Sequence, residues 1–171
     1  MFFALWPNAA LQDLIGYHAH RLIGKRAKRV PAHNLHITLA FLGSVAREQR
    51  ECYLEAVAGI RAQTFTLSLA HIGHWPRPRI LWLGPQQQPE ALLTLVSTLN
   101  AALITCGFMP EARPYHAHMT LARNVDRPLL VQSIAPIKWE VDSFALIDSV
   151  TTPQGPIYQV LARWSLQPPA A

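Results

Sequence analysis

Ala117-His118-Met119-Thr120-Leu121-Ala122 nearly repeats an earlier stretch of the chain, Leu35-His36-Ile37-Thr38-Leu39-Ala40. Each is His-x-Thr-Leu within an apolar run that reads as a buried strand. Side chains at i and i+2 of a strand point to one face. His36 and Thr38 therefore share a face, while Ile37 and Leu39 turn the other way, toward a core. His118 and Thr120 stand in the same relation to Met119 and Leu121. A histidine changes charge close to neutral pH, and a hydroxyl beside it donates hydrogen bonds. Two such pairs are the parts an acid–base phosphoryl-transfer site needs.

Outward from the two motifs, helical and extended segments alternate. Met1 to Trp6 is apolar, reads as a first strand and is far too short to span a membrane. Pro7 ends it, and Asn8 to Ile23 reads as a helix. Gly24 to His33 is a basic loop, and Leu35 to Leu42 a strand closed by Gly43. Arg47 to Ala62 reads as a helix, Phe65 to Ile72 as a half-buried strand and Arg79 to Leu83 as another, set off by prolines. Pro89 opens a long helix through Cys106, and Gly107 is a natural stop. His116 to Ala122, Val141 to Val150 and Tyr158 to Leu166 are strands, the last two separated by a turn at Pro153, Gly155 and Pro156. The order is β-α-β-α-β-β-α-β-β-β, with one His-x-Thr-Leu strand in each half. The expected fold is α+β: two pseudo-symmetric lobes whose antiparallel sheets flank a central cleft. Nothing resembles a linker, so residues 1–171 are expected to form a single bilobal domain.

Half of the 171 residues are hydrophobic, which excludes global disorder. A net charge of +5 and a pI near 9.7 favour a polyanionic partner. Cys52 and Cys106 sit in helix-like stretches with no dense cysteine pattern around them, so a cytosolic, disulfide-free protein is expected. No obligate protein partner is evident.

Other residues around the motifs carry possible roles. Thr38 and Thr120 can donate hydrogen bonds to the non-bridging oxygens of a phosphate. Arg21, Lys25, Arg26, Lys28 and Arg29 precede the first motif, and Arg26 and Lys28 are placed on upstream phosphates of an RNA strand. Phe41, Tyr115 and Trp75 are candidates to stack on a terminal base, whereas Trp82 is expected in the core. His116 and His118, with His71 or His74, offer the alternative of a zinc hydrolase. The charge offers a second alternative, a non-catalytic RNA-binding module. His18 and His20 are expected on the surface. No Gly-rich phosphate loop is visible, so ATP dependence is not expected.

The whole pattern resembles the two-histidine phosphoesterases, specifically the prokaryotic RNA 2′,3′-cyclic phosphodiesterases, also described as RNA 2′,5′-ligases. The resemblance runs from Phe2-Phe3-Ala4-Leu5 through Asn34 to Gly43, Arg79 to Gly84 and Arg113 to Arg123. It ends in Ser143 to Leu146 and the Tyr158 to Trp164 strand. Ala117 stands where the family usually has proline. The resemblance implies hydrolysis of RNA-terminal 2′,3′-cyclic phosphates to 2′-phosphates without metal or cofactor, with possible ATP-independent 2′,5′ ligation. It implies His36 as proton donor and His118 as proton acceptor, roles that the residues alone leave open. Arg123 matches an arginine of the family motif and is expected on the phosphate. The implied partners are RNA ends or small cyclic nucleotides, in the cytoplasm and not at a membrane.

Overall fold

A computed structural model describes residues 1–23, 27–126, 133–153 and 155–168. Lys25 and Arg26 of the basic loop lie outside the described residues. The elements are β1 (Phe2–Leu5), α1 (Ala9–Leu22), β2 (Lys28–Arg29), β3 (Ile37–Phe41), α2 (Arg47–Ala58) and β4 (Phe65–Trp75). There follow β5 (Ile80–Pro85), α3 (Glu90–Ile104), β6 (Met119–Arg123), β7 (Ser133–Val141), β8 (Ser143–Thr152) and β9 (Gly155–Ser165).

Local signals account for the ends of these elements. Asn8 caps α1 by accepting from the Leu11 N–H at 2.9 Å. Past α3, Gly107 takes φ 81° and turns the chain back while the Phe108 N–H donates to the Leu103 carbonyl at 3.2 Å. β7 has no counterpart among the expected strands. It is an edge strand that carries Pro136, a residue tolerated where no neighbour needs the N–H. Its Ile137, Trp139 and Val141 alternate inward against Lys138 and Glu140.

Among the described residues the strands form one antiparallel sheet in the order β7-β4-β5-β6-β3-β1-β8-β9, with β2 beside β6. The order is pseudo-symmetric about the β3–β6 pair. β1 and β5 flank it, then β8 and β4, then β9 and β7. In each half a helix leads from the flanking strand to the central one: β1-α1-β3 and β5-α3-β6. The central strands β3 and β6 meet at a single register pair, Ile37 opposite Met119, and β2 adds Lys28 opposite Arg123 and Arg29 opposite Ala122. Ile37, Leu39, Met119 and Leu121 are buried with Ile15, Val57, Leu92 and Leu95 of the helices in one core. Phe2, Ala4, Ala145 and Ile147 form a second, small cluster, with Trp6 and Tyr158 packed against it.

One expectation fails here. Cys52 of α2 and Cys106 beyond α3 are joined by a disulfide, with their Cα atoms 5.9 Å apart. They are 54 residues apart in sequence. Only the side-by-side packing of the two helices brings them together, and cysteine spacing carries no sign of that.

Candidate active site

The register pair Ile37–Met119 decides the geometry of the site. Opposed residues of an antiparallel ladder share a face, and the next pairs follow by alternation. Extending the register by one residue each way sets His36 across from Thr120 and Thr38 across from His118. All four are half-buried, on the face opposite to the buried Ile37, Leu39, Met119 and Leu121. Each histidine thus has a threonine beside it on its own strand and another across the ladder.

Both imidazoles are held in the same way. His36 Nδ1 lies 2.6 Å from the carbonyl oxygen of Asn34, and His118 Nδ1 lies 2.8 Å from that of His116. A carbonyl can only accept, so each Nδ1 carries a hydrogen and donates it. Nε2 is therefore the nitrogen that gains and loses a proton in both rings.

Aromatic rings surround each histidine. His36 stacks on Phe2 at 4.7 Å and on Trp6 at 5.5 Å between centroids, and meets Tyr158 edge-on at 5.3 Å. His118 meets Trp75 edge-on at 4.6 Å, and Trp82 lies behind it at 6.5 Å. Burial lowers the His36 pKa from 6.5 to about 4; the Asn34 carbonyl opposes this, and charge on His118 and Arg123 adds to it. Burial lowers His118 as well, against the His116 carbonyl and with the help of charge on His116, Arg113 and Arg123. The two rings and Arg123 form one electrostatic unit.

Trp82 is 5% exposed, as expected of a core residue. Its indole lies over Gly73, where a Cβ would meet it at 2.0 Å, so only glycine fits there. Phe41, Trp75 and Tyr115, far apart in sequence, all line a cavity of about 220 Å³ that Thr38 and His118 also border. Phe41 is 67% exposed and free to stack. The Tyr115 hydroxyl is already engaged, donating to the Thr38 carbonyl at 3.0 Å and so tying the two halves together.

Lys28 stands directly opposite Arg123 in the β2–β6 ladder, next to the site. Arg26 lies outside the described residues. The zinc alternative does not assemble: among the described residues no three metal-ligating side chains converge. His74 is occupied with the Val125 carbonyl at 2.9 Å, and His71 packs on Trp82. Sequence reasoning did not single out Trp6 and Tyr158 as site residues. Both are aromatic, but nothing local shows that they end beside a histidine of another strand.

The model of the 2′-5′ RNA ligase superfamily matches residues 11–152. The RNA 2′,3′-cyclic phosphodiesterase of Escherichia coli (strain K12) is 32% identical over 169 residues, covering 97% of this chain and 96% of the relative. The protein of the same name from Aeropyrum pernix is 33% identical, over 90% of this chain and 91% of the relative. The crystal structure of E. coli LigT in apo form superposes with a TM-score of 0.89 at 32% identity, covering 97% of this chain and 96% of that one. The same protein complexed with 3′-AMP gives 0.88, with 96% of each chain covered.

Proposed function

Because the chain belongs to the 2′-5′ RNA ligase superfamily, we propose that it opens RNA-terminal 2′,3′-cyclic phosphates to 2′-phosphates by acid–base catalysis at His36 and His118. The observation that carries this reading is the pair of Nδ1–H bonds to backbone carbonyls, which presents two titrating Nε2 atoms on one face of the sheet. The relatives named RNA 2′,3′-cyclic phosphodiesterase support the choice of substrate.

Water attacks phosphorus in line with the bond to O3′. His118 Nε2 takes a proton from the water as the new P–O bond forms. The P–O3′ bond breaks, and His36 Nε2–H gives its proton to O3′. The products are a 2′-phosphate and a free 3′-hydroxyl. Thr38, Thr120 and Arg123 donate hydrogen bonds to the non-bridging oxygens, where negative charge gathers. Phe41 and Trp75 border the cavity that takes the base. With an RNA 5′-hydroxyl in place of water, the same proton transfers leave a 2′,5′ linkage, and no ATP is consumed. Residues 1–171 act as one bilobal domain. The partners are RNA ends or small cyclic nucleotides. Among the described residues no helix is long and apolar enough to cross a membrane. The RNA substrate argues for the cytoplasm, where the Cys52–Cys106 bond is unusual.

An oligonucleotide ending in 2′,3′-cyclic phosphate, incubated in excess EDTA, tests this directly. A 2′-phosphate product at an undiminished rate is expected, because acid, base and hydrogen-bond donors all come from the chain. Activity lost in chelator and restored by zinc would return the site to the metal reading. A bound strand with no turnover would leave only an RNA-binding module.

The pH dependence should differ between kcat/KM and kcat. In the free protein His36 titrates near 4 and His118 below its ordinary 6.5. The state with one proton on the pair therefore dominates at acid pH. It empties as pH rises, so kcat/KM on a cyclic mononucleotide should fall about tenfold per unit above roughly pH 7. A bound phosphate is anionic and raises the proton affinity of both imidazoles. The kcat profile should therefore lie at higher pH, with apparent pKa values that belong to the pair. A kcat/KM that rises steadily to pH ~9 would indicate hydroxide attack without histidine.

A further inference from the structure

Gln12 of α1 is 6% exposed, one of three buried polar side chains among the described residues, with Asn34 and Ser143. Its Nε2 donates to the carbonyl of His33 at 3.3 Å and to that of Leu35 at 3.2 Å. These residues stand on either side of Asn34, whose own carbonyl accepts the Nδ1 hydrogen of His36. The Asn34 side chain is tied as well, donating to the Pro156 carbonyl at 3.1 Å.

The other half repeats the device. Gln88, between β5 and α3, donates from Nε2 to the Tyr115 carbonyl at 3.3 Å and accepts at Oε1 from the Ala117 N–H at 2.7 Å. Tyr115 and Ala117 stand on either side of His116, whose carbonyl accepts the Nδ1 hydrogen of His118. Gln12 lies in the first turn of α1, and Gln88 lies just ahead of α3. Each enters from the helical connection that leads from a flanking strand to a motif strand. Each meets backbone just ahead of its strand, since β3 begins at Ile37 and β6 at Met119. Sheet pairing cannot fix the peptide planes there, and a carbonyl orients an imidazole only as well as its own peptide plane is fixed.

We propose that Gln12 and Gln88 are paired positioning residues, each clamping the backbone on either side of the carbonyl that orients one histidine of the site and holds it in the Nδ1–H tautomer. The catalytic part of this rests on the reading of His36 and His118 as the acid–base pair. The charged and titratable groups facing those rings are Arg123, Tyr158 and each other, with His116 and Arg113 at His118.

Gln12→Met and Gln88→Met keep the side-chain length and remove the amide. In protein labelled with ¹⁵N-histidine, long-range ¹H–¹⁵N spectra near pH ~8 show which nitrogen of each neutral ring bears the hydrogen. In the unaltered protein both rings should be Nδ1–H. Gln12→Met should spread His36 over both tautomers and leave His118 unchanged, and Gln88→Met should do the reverse. Each should lower kcat about tenfold while KM for a cyclic mononucleotide stays within about twofold. A lower melting temperature with both rings unchanged in the spectra overturns the proposal and leaves the glutamines a merely structural role. If a Met variant does not fold, Gln12→Glu, which loses the only donor that side chain uses, or Gln88→Ala, which loses both of its bonds, undergoes the same measurement; an unchanged ring again overturns it. The spectra do not depend on turnover. Full activity in His36→Ala or His118→Ala would end the acid–base reading while the tautomer result still decided this one.

Discussion

His36→Ala and His118→Ala should each lower turnover of a 2′,3′-cyclic phosphate by at least about a hundredfold, and the double variant should be little worse than either. General acid–base assistance is worth about 10²–10⁴-fold per group. The two effects do not multiply, because both protons move in one transition state and the loss of either transfer disables the concerted path. His36 packs on Phe2, Trp6 and Tyr158, so truncation also opens a gap among aromatic rings. His36→Asn, which fills more of that gap, separates loss of chemistry from loss of fold. The readout is kcat/KM on a cyclic mononucleotide beside the circular dichroism spectrum. A folded single variant with near-normal turnover would falsify the two-histidine mechanism.

Arg123→Ala should lower kcat/KM about a hundredfold on long RNA and on a cyclic mononucleotide alike. Its charge is felt at His36, His118 and Tyr158, so under the proposed mechanism it is expected to act at the reacting phosphate rather than along the strand. A hundredfold loss is about 2.7 kcal/mol of transition-state stabilisation, the scale of a charge-assisted hydrogen bond to a developing oxyanion. Lys28 is its neighbour across the β2–β6 ladder. Lys28→Ala should weaken long RNA with a reduced salt slope and leave the mononucleotide almost untouched. Equal damage by Lys28→Ala on both substrates would place Lys28 on the reacting phosphate, and a normal rate for Arg123→Ala on the mononucleotide would remove Arg123 from it. Both outcomes are read from kcat/KM on a short and a long substrate across a salt series.

Much of the site was legible because its pattern is local. Alternation along a strand needs no partner, so His36 and Thr38 separate from Ile37 and Leu39 on sequence alone, and the burial of Ile37 and Leu39 bears this out. The helix signals at Asn8 and Gly107 act within a turn, and they too are realised. β7 escaped notice because Pro136 argues against a strand until the segment is seen to lie at a sheet edge.

Sequence by itself determined the fold class, the two motif strands and the chemistry their side chains can perform, because residue type and period are properties of a few neighbouring positions. Tertiary structure alone decided what surrounds those side chains. The aromatic rings that hold His36 near pKa 4 come from Phe2, Trp6 and Tyr158. The carbonyls that select the tautomers belong to Asn34 and His116, and the backbone on either side of them is bonded by Gln12 and Gln88. The disulfide joins cysteines 54 residues apart, and Lys28 reaches Arg123 only through strand pairing. Proton affinity and orientation depend on groups within a few ångströms. In a sheet whose strands are out of chain order, those groups lie tens of residues away along the chain.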